Sequence, residues 1–319
     1  MQQNRLRAGH FSIWQANLAL FVLMFGYILI DLYEIIYVLA SGNMPLADVS
    51  IWTRIAVDIP IMIIAFYCAS PVRALRFVRP KARNISYTVL LTLFTYIAMS
   101  VLLNFLAETI LTSGGTIPED TLVEEMVSQP FALTFFFLCI LAPFTEEILF
   151  RGMLQGAYER KYGFAAIVFS GVLFGLVHAD PLSVVNGAVL GLLLGYLYLK
   201  TRSIWCPIVM HALYNLFAFT LIPDYFILNL PWVVGAFDMT TAHFGNAVYA
   251  AYNLLIGVGS AILAGVMIWV IRRENSENQP KQAGRMELEP PRAGQTTFFV
   301  MAAILIALRF ILGISSYLM

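Results

Sequence analysis

The sequence predicts an all-α fold: a polytopic transmembrane helix bundle of about nine spans around a buried polar cavity. Its 319 residues are 60% hydrophobic and only 12% charged, with a mean hydropathy of +0.79. A soluble domain of this length cannot hide so much apolar surface. The apolar residues also form separate runs, with the basic residues gathered between alternate pairs of runs. These observations together place the chain in a lipid bilayer.

A helix that crosses a bilayer needs roughly 20 apolar residues, and most of the runs are about that long. The first run exceeds the ~7–15 residues of a cleavable signal-peptide core, so we expect a retained helix. The fifth and sixth runs are short and are separated only by HADPL. The predicted spans are 13–40, 51–70, 86–112, 131–157, 164–178, 183–199, 204–222, 246–271 and 298–318.

The basic residues predict the orientation of these spans. With nine alternating spans, every Lys and Arg except Arg54, Arg151 and Arg309 falls on one side of the membrane. The positive-inside rule makes that side cytoplasmic, so the N-terminus is predicted inside and the C-terminus outside. The final residues, SSYLM, carry no eukaryotic retention signal, which favours an integral, multi-pass protein of a bacterial plasma membrane.

Charge and cysteine content exclude several kinds of ligand. The formal net charge is zero and there is no basic arm, so no nucleic acid partner is expected. Cys68, Cys139 and Cys206 are widely spaced in apolar runs, which is typical of small core residues and not of a disulfide framework or thiolate metal site. The lipid bilayer is the partner that the composition predicts, and the oligomeric state stays open.

Composition also divides the chain into parts. Residues 272–297 are polar and contain prolines, which predicts a flexible cytoplasmic linker and makes the last span an appendage. The predicted parts are 1–112 with spans 1–3, a core at 131–222 with spans 4–7, an outer loop and span 8 at 223–271, the linker, and span 9 at 298–319.

The fourth span contains charged residues, which are costly inside a bilayer. In the stretch PFTEEILFRG, Glu147 and Arg151 are four residues apart and can pair along one helix face. Glu146 points about 100° away from Glu147 around the helix axis, so it needs a partner from another helix. Pro143 cannot donate the normal backbone hydrogen bond, which predicts a bend or local opening beside Glu146.

Two of the four histidines lie in predicted spans. His178 ends the fifth span, and His211 lies in the seventh, with Asn215 one turn further on the same face. At ~1.5 Å per residue, their depths allow them to meet Glu146 near the middle of the membrane. Single polar residues of this kind commonly hold helices together. A carboxylate, two imidazoles and an amide together predict a reaction centre.

These residues form three motifs in order, each in an apolar helix. EEILFRG fits EExxxR with Glu146, Glu147 and Arg151; FGLVH fits FxxxH with Phe174 and His178; HALYN fits HxxxN with His211 and Asn215. The stretch of roughly 131–220 that holds them resembles the CPBP family of intramembrane proteases. That family includes the CAAX prenyl endopeptidase and the bacterial Abi and lysostaphin-resistance-like proteins. The linker and the last span go beyond the usual family core.

The resemblance implies an endopeptidase that hydrolyses a peptide bond in a membrane-associated protein or peptide. It implies that Glu146 and His178 activate the attacking water and that His211 and Asn215 complete the centre. Glu147 and Arg151 would support these groups. Asn215 could donate its amide N–H to the oxyanion of the tetrahedral intermediate.

The sequence leaves the cofactor and the class of function open. Glu146, His178 and His211 could bind one Zn ion with an open position, as in a metalloprotease, but HExxH is absent, and a metal-free glutamate mechanism uses the same residues. A non-catalytic membrane protein, such as a bacteriocin-immunity or chaperone-like factor, could keep the motifs as a polar core. A proton-coupled transporter is a third class, although the chain shows no paired repeats.

Overall fold

The computed structural model describes residues 11–41, 56–61, 63, 75–116, 130–178, 180–220, 247–278 and 295–318. Helices dominate these ranges and no strand occurs in them, so the all-α prediction is confirmed. We number the helices α1 (Ile13–Ser41), α2 (Ala82–Thr112), α3 (131–162), α4 (Ala165–Leu176), α5 (Pro181–Thr201), α6 (Trp205–Thr220), α7 (Ala247–Glu274) and α8 (Gln295–Leu318).

Six of these helices are long and apolar enough to cross a membrane, which confirms a polytopic bundle. The predicted span 164–178 is shorter than expected, because α4 has 12 residues. At ~1.5 Å per residue α4 does not reach across a ~30 Å hydrocarbon layer. The predicted span 204–222 is helical from Trp205 to the last described residue, Thr220. Most of the predicted span 51–70 lies outside the described residues. The total of nine spans therefore stays a prediction.

The helix α3 opens at two places. It consists of Phe131–Phe136, a π-helical stretch Phe137–Leu141, Ala142–Glu147, a second π-helical stretch Ile148–Gln155, and Gly156–Tyr162. The first opening lies just before Pro143, where the sequence predicts one, because proline has no N–H to donate. The second opening begins directly after the two glutamates.

Glycines bring α4 and α5 into backbone contact. A Cβ atom on Gly191 would lie 2.6 Å from the Gly171 carbonyl oxygen, and one on Gly175 would lie 2.5 Å from the Val184 oxygen. The small residues of these two helices therefore let their backbones pack closely. The turn between the helices is closed by Asp180, whose carboxylate accepts a hydrogen bond from the Ser183 N–H at 2.6 Å.

Basic residues from several loops and helix ends meet at one end of the bundle. Glu159 of α3 pairs with Arg76 at 3.2 Å and with Arg202 at 2.9 Å. Arg83 of α2 pairs with Glu274 of α7 at 2.6 Å. This clustering agrees with the sequence prediction that these loops share one side of the membrane. The identity of that side stays a prediction.

The C-terminal helix α8 is more than an appendage. Its Phe298 contacts the rings of Trp14 and Phe21 in α1, with centroids 6.2 and 5.7 Å apart, so the two helices pack together. The predicted linker 272–297 is also shorter than expected, because α7 extends to Glu274 and a 3-10 turn follows at Ser276–Asn278. Residues 279–294 lie outside the described ranges.

Candidate functional site

Glu147 is the centre of a buried network in α3. Its Oε1 atom accepts a hydrogen bond from Arg151 Nη1 at 3.0 Å, as the four-residue spacing predicts. The same oxygen lies 3.0 Å from Nδ1 of His211 in α6. A carboxylate paired with an arginine can only accept hydrogen bonds, so His211 Nδ1 is the donor, and in a neutral ring Nε2 is the nitrogen that has the lone pair. Glu147 therefore fixes the tautomer of His211.

The side chain of Arg151 has no exposed surface and is held by two groups besides Glu147 of its own helix turn. Its Nη2 donates to the Gly191 carbonyl of α5 at 2.9 Å, which the glycine contact described above makes reachable. Its guanidinium lies 4.5 Å from the centre of the Phe174 ring. This arginine thus ties α3 to α5 and α4 while it neutralises Glu147.

Glu146 differs from its neighbour. Its side chain is 18% exposed, and its Oε2 atom is buried and forms no hydrogen bond with any described residue. The Nε2 atom of His211 in α6 lies 3.9 Å from this oxygen, which is too far for a hydrogen bond. As the sequence predicts, Glu146 stays outside the Glu147–Arg151 ion pair, and His211 is the group from another helix that lies near it.

Phe174 connects the two histidines. Its ring contacts the imidazole of His178 with centroids 5.3 Å apart and that of His211 with centroids 5.4 Å apart, both edge to face. His178 Nδ1 lies 2.8 Å from the Phe174 carbonyl oxygen, which can only accept, so Nδ1 is the donor. His178 is exposed. The motif contains Phe174 without indicating its role. In the structure its ring contacts His178, His211 and Arg151.

Asn215 binds the backbone of α3. Its Nδ2 donates to the Leu138 carbonyl at 2.9 Å. In the π-helical stretch the N–H of Ala142 donates to the Phe137 carbonyl. The next donor in this series, which would bind the Leu138 carbonyl, is residue 143, and a proline there has no N–H. Asn215 therefore satisfies a carbonyl that Pro143 leaves open, and one of its two N–H bonds is used for this purpose.

The predicted metal ligands do not come together as a set. Among the described residues, no three His, Cys, Asp or Glu side chains lie close enough to hold one metal ion. Glu146 and His211 approach each other, whereas His178 bonds the backbone of its own helix. The donor geometry of these residues does not fit a three-ligand zinc centre. Cys139 and Cys206 are buried and free, as predicted.

Fold and site together define a class: a polytopic helical membrane protein with charged and imidazole groups gathered inside its bundle. Residues 128–217 match the family described as "Type II CAAX prenyl endopeptidase Rce1-like". The match falls on the segment that holds the three motifs, and it supports the predicted resemblance to the CPBP family.

A curated protein is similar to part of the chain. The "Putative membrane peptidase YdiL" of Bacillus subtilis (strain 168) is 40% identical over 79 residues, which is 24% of this chain. The alignment spans about a third of that relative's length, 32%. No solved structure matches the chain.

Proposed function

We propose that the protein is an intramembrane endopeptidase that hydrolyses a peptide bond in a membrane-associated protein or peptide. The observation that carries the proposal is the contrast between two neighbouring carboxylates. Glu147 accepts hydrogen bonds from Arg151 and His211 through Oε1, while its Oε2 is buried without a partner among the described residues. Glu146 accepts no hydrogen bond from a described residue, and its buried Oε2 lies 3.9 Å from His211 Nε2. A purely structural polar core has no need of a carboxylate left without hydrogen bonds.

In the proposed reaction, Glu146 accepts a proton from water as the water oxygen attacks the carbonyl carbon of the substrate. The Nε2 atom of a neutral His178, which has a lone pair, helps to orient that water. The carbonyl oxygen becomes an oxyanion, and the second N–H of Asn215 is a candidate donor to it. The proton on Glu146 is then delivered to the leaving nitrogen as the C–N bond breaks, which gives a carboxylic acid and an amine.

Glu147 and Arg151 are positioning residues in this scheme. The pair holds His211 through its Nδ1–H and leaves its Nε2 directed at Glu146. A protonated His211 would also stabilise negative charge beside Glu146. No step in the proposal uses a metal ion, because the described donors do not converge on one.

The relatives favour the same class of reaction. The matching family is named for a prenyl endopeptidase and the curated relative for a membrane peptidase. The name of the family refers to a prenylated substrate, and we do not propose a prenylated substrate for this chain. For this chain we propose a substrate inserted in or bound to the bilayer, because the site is built inside a bundle of membrane-length helices. We also keep the proposal of a bacterial plasma membrane with a cytoplasmic N-terminus.

The test is cleavage of a fluorogenic peptide library by the purified protein in detergent. Wild type, Glu146→Gln and Glu108→Gln are compared; Glu108 lies near the end of α2 and serves as a matched glutamate in another membrane-length helix. We expect cleavage by wild type and Glu108→Gln and none by Glu146→Gln. Equal cleavage by all three proteins would refute the role of Glu146 and indicate a contaminating protease.

A further inference from the structure

Arg309 of α8 reaches the site from outside the segment that matches the family. The sequence offers it no acidic partner within its own helix. In the structure its Nε and Nη2 atoms bind the two carboxylate oxygens of Asp31 in α1, at 2.6 and 3.1 Å. Its remaining terminal nitrogen, Nη1, donates to the Val177 carbonyl at 2.8 Å. Val177 is the residue before His178, so the C-terminal helix touches the backbone that carries a proposed catalytic group.

The Val177 carbonyl needs a donor from elsewhere because of the local sequence. In a continuing α-helix it would accept from the N–H of residue 181, but that residue is Pro181. The N–H of Asp180, three residues on, bonds the His178 carbonyl at 2.7 Å instead. Val177 is buried, with 5% exposure, which limits access of water to its backbone. A buried carbonyl without a partner is costly, and Arg309 supplies the missing donor.

This hydrogen bond fixes the peptide that leads into His178. The carbonyl of Val177 and the N–H of His178 belong to one planar unit, and that N–H bonds the Gly175 carbonyl at 3.1 Å. The unit is therefore held on both sides, by Arg309 and by the last turn of α4. The His178 ring is held in turn through Nδ1 by the Phe174 carbonyl. A substitution at Arg309 would therefore alter the position of the His178 imidazole through the rigid peptide unit between Val177 and His178.

Asp31 keeps Arg309 in place for this contact. A bidentate pair fixes the plane of the guanidinium, and the planar fork leaves the third nitrogen aimed in a set direction. The guanidinium also lies 5.0 Å from the centre of the Tyr27 ring, one turn before Asp31. The side chains of Arg309 and Asp31 are only 14% and 25% exposed, so little water competes for these bonds.

We infer that Arg309, held by Asp31, is a positioning residue for His178. We call the three groups Asp31, Arg309 and the Val177 carbonyl the α1–α8 clasp. The inference rests on the proposed function for its effect on catalysis, but its structural part, the fixing of residues 177–178, stands on the hydrogen bonds alone. If the only role of this pair were to hold α1 against α8, Asp31 and Arg309 would be sufficient, and the third hydrogen bond, to the Val177 carbonyl, would be unnecessary.

Two substitutions separate these roles. Arg309→Lys keeps a positive charge beside Asp31, but a single ammonium on a flexible stem cannot reproduce the fork that joins the carboxylate to the carbonyl. Arg309→Met removes both bonds. Arg83→Met is the matched control, because Arg83 also pairs with an acidic residue of another helix, Glu274, and donates to that residue's carbonyl, at 3.4 Å.

The experiment measures amide hydrogen exchange of the full-length protein in detergent by mass spectrometry, in peptides that cover residues 174–180. Loss of a hydrogen bond to a charged group corresponds to roughly a tenfold or greater change in a local opening equilibrium. We expect exchange in this segment to be about tenfold faster or more in Arg309→Lys and Arg309→Met, and unchanged in Arg83→Met. Unchanged exchange in both Arg309 variants would overturn the inference.

The catalytic part is measured on the same proteins with a cleaved peptide. We expect both Arg309 variants to lower kcat while KM is unchanged, and Arg83→Met to change neither. A wild type without peptidase activity would defeat the proposed function, while faster exchange in the Arg309 variants would still establish the clasp. Faster exchange with an unchanged kcat would overturn the positioning role and leave the clasp as a structural contact.

Discussion

Exchanging Glu146 or Glu147 for glutamine should give two different proteins, although the residues are adjacent and the change is the same. Glu147 and Arg151 have no exposed side-chain surface and are 3.0 Å apart. Glutamine at 147 can still accept from His211, but it removes the charge that balances Arg151. Leaving one member of a buried pair without its partner costs about 3–5 kcal/mol. Glu146 has no hydrogen bond to lose among the described residues, so Glu146→Gln should cost less than about 1 kcal/mol.

Thermal unfolding in detergent, followed by the fluorescence of the five tryptophans, measures this difference. From the dependence of Tm on free energy, Glu147→Gln should melt at least about 5 °C below wild type, while Glu146→Gln should melt within about 2 °C of it. The double variant Glu147→Gln, Arg151→Met removes the unpaired charge and should recover part of the lost stability. Equal melting of the two single variants, or a double variant less stable than Glu147→Gln, would refute the account of the buried pair.

Three further predictions concern the backbone and the cofactor. Asn215→Leu should cost about 1–3 kcal/mol because it strips the Leu138 carbonyl of its donor, and adding Pro143→Ala should restore part of this by supplying a backbone N–H, as measured by thermal unfolding. Gly191→Ala should cost about 1–3 kcal/mol because its methyl group would meet the backbone of α4, and proteolysis in detergent should detect the loosened fold. A strong chelator should leave the cleavage rate of wild type unchanged, because the described donors do not converge on a metal ion.

Each of these has a contrary outcome. A Pro143→Ala, Asn215→Leu double variant that melts no higher than Asn215→Leu would show that Leu138 does not depend on the missing N–H. Gly259→Ala is the control for Gly191, because no atom from the other described segments lies within 4 Å of its Cβ position and alanine is the better helix former there. Loss of activity on chelation, with recovery on adding zinc, would establish a metal centre and a rearrangement of His178.

The sequence predicts the features that depend on residues close together in the chain. The Glu147–Arg151 pair follows from a four-residue spacing, and the opening of α3 follows from Pro143. The order of the motifs also indicates that His211 approaches the glutamates. Which glutamate receives the hydrogen bond depends on the rotation of α6 against α3, and the spacing of residues cannot give that angle.

Other features depend on contacts between distant helices. The partner of Arg309 is Asp31, 278 residues away, and no local pattern connects them. The sequence overestimates the length of α4, because the apolar run continues to Val177 after the helix ends at Leu176. The two prolines do indicate where a side chain from another helix is needed. Pro143 removes the helical donor of the Leu138 carbonyl and Pro181 that of the Val177 carbonyl, and each carbonyl is bound by a side chain from another helix.

The central claim is that Glu146 is the base of a peptide-bond hydrolysis inside the membrane. Its most direct test is kcat/KM for one cleaved peptide in proteoliposomes, with wild type, Glu146→Gln and the matched Glu108→Gln. A general base typically contributes about 10²–10⁴ in rate, so we expect Glu146→Gln to lose at least a hundredfold while Glu108→Gln matches wild type. A folded Glu146→Gln protein that cleaves the peptide as fast as wild type would contradict the claim.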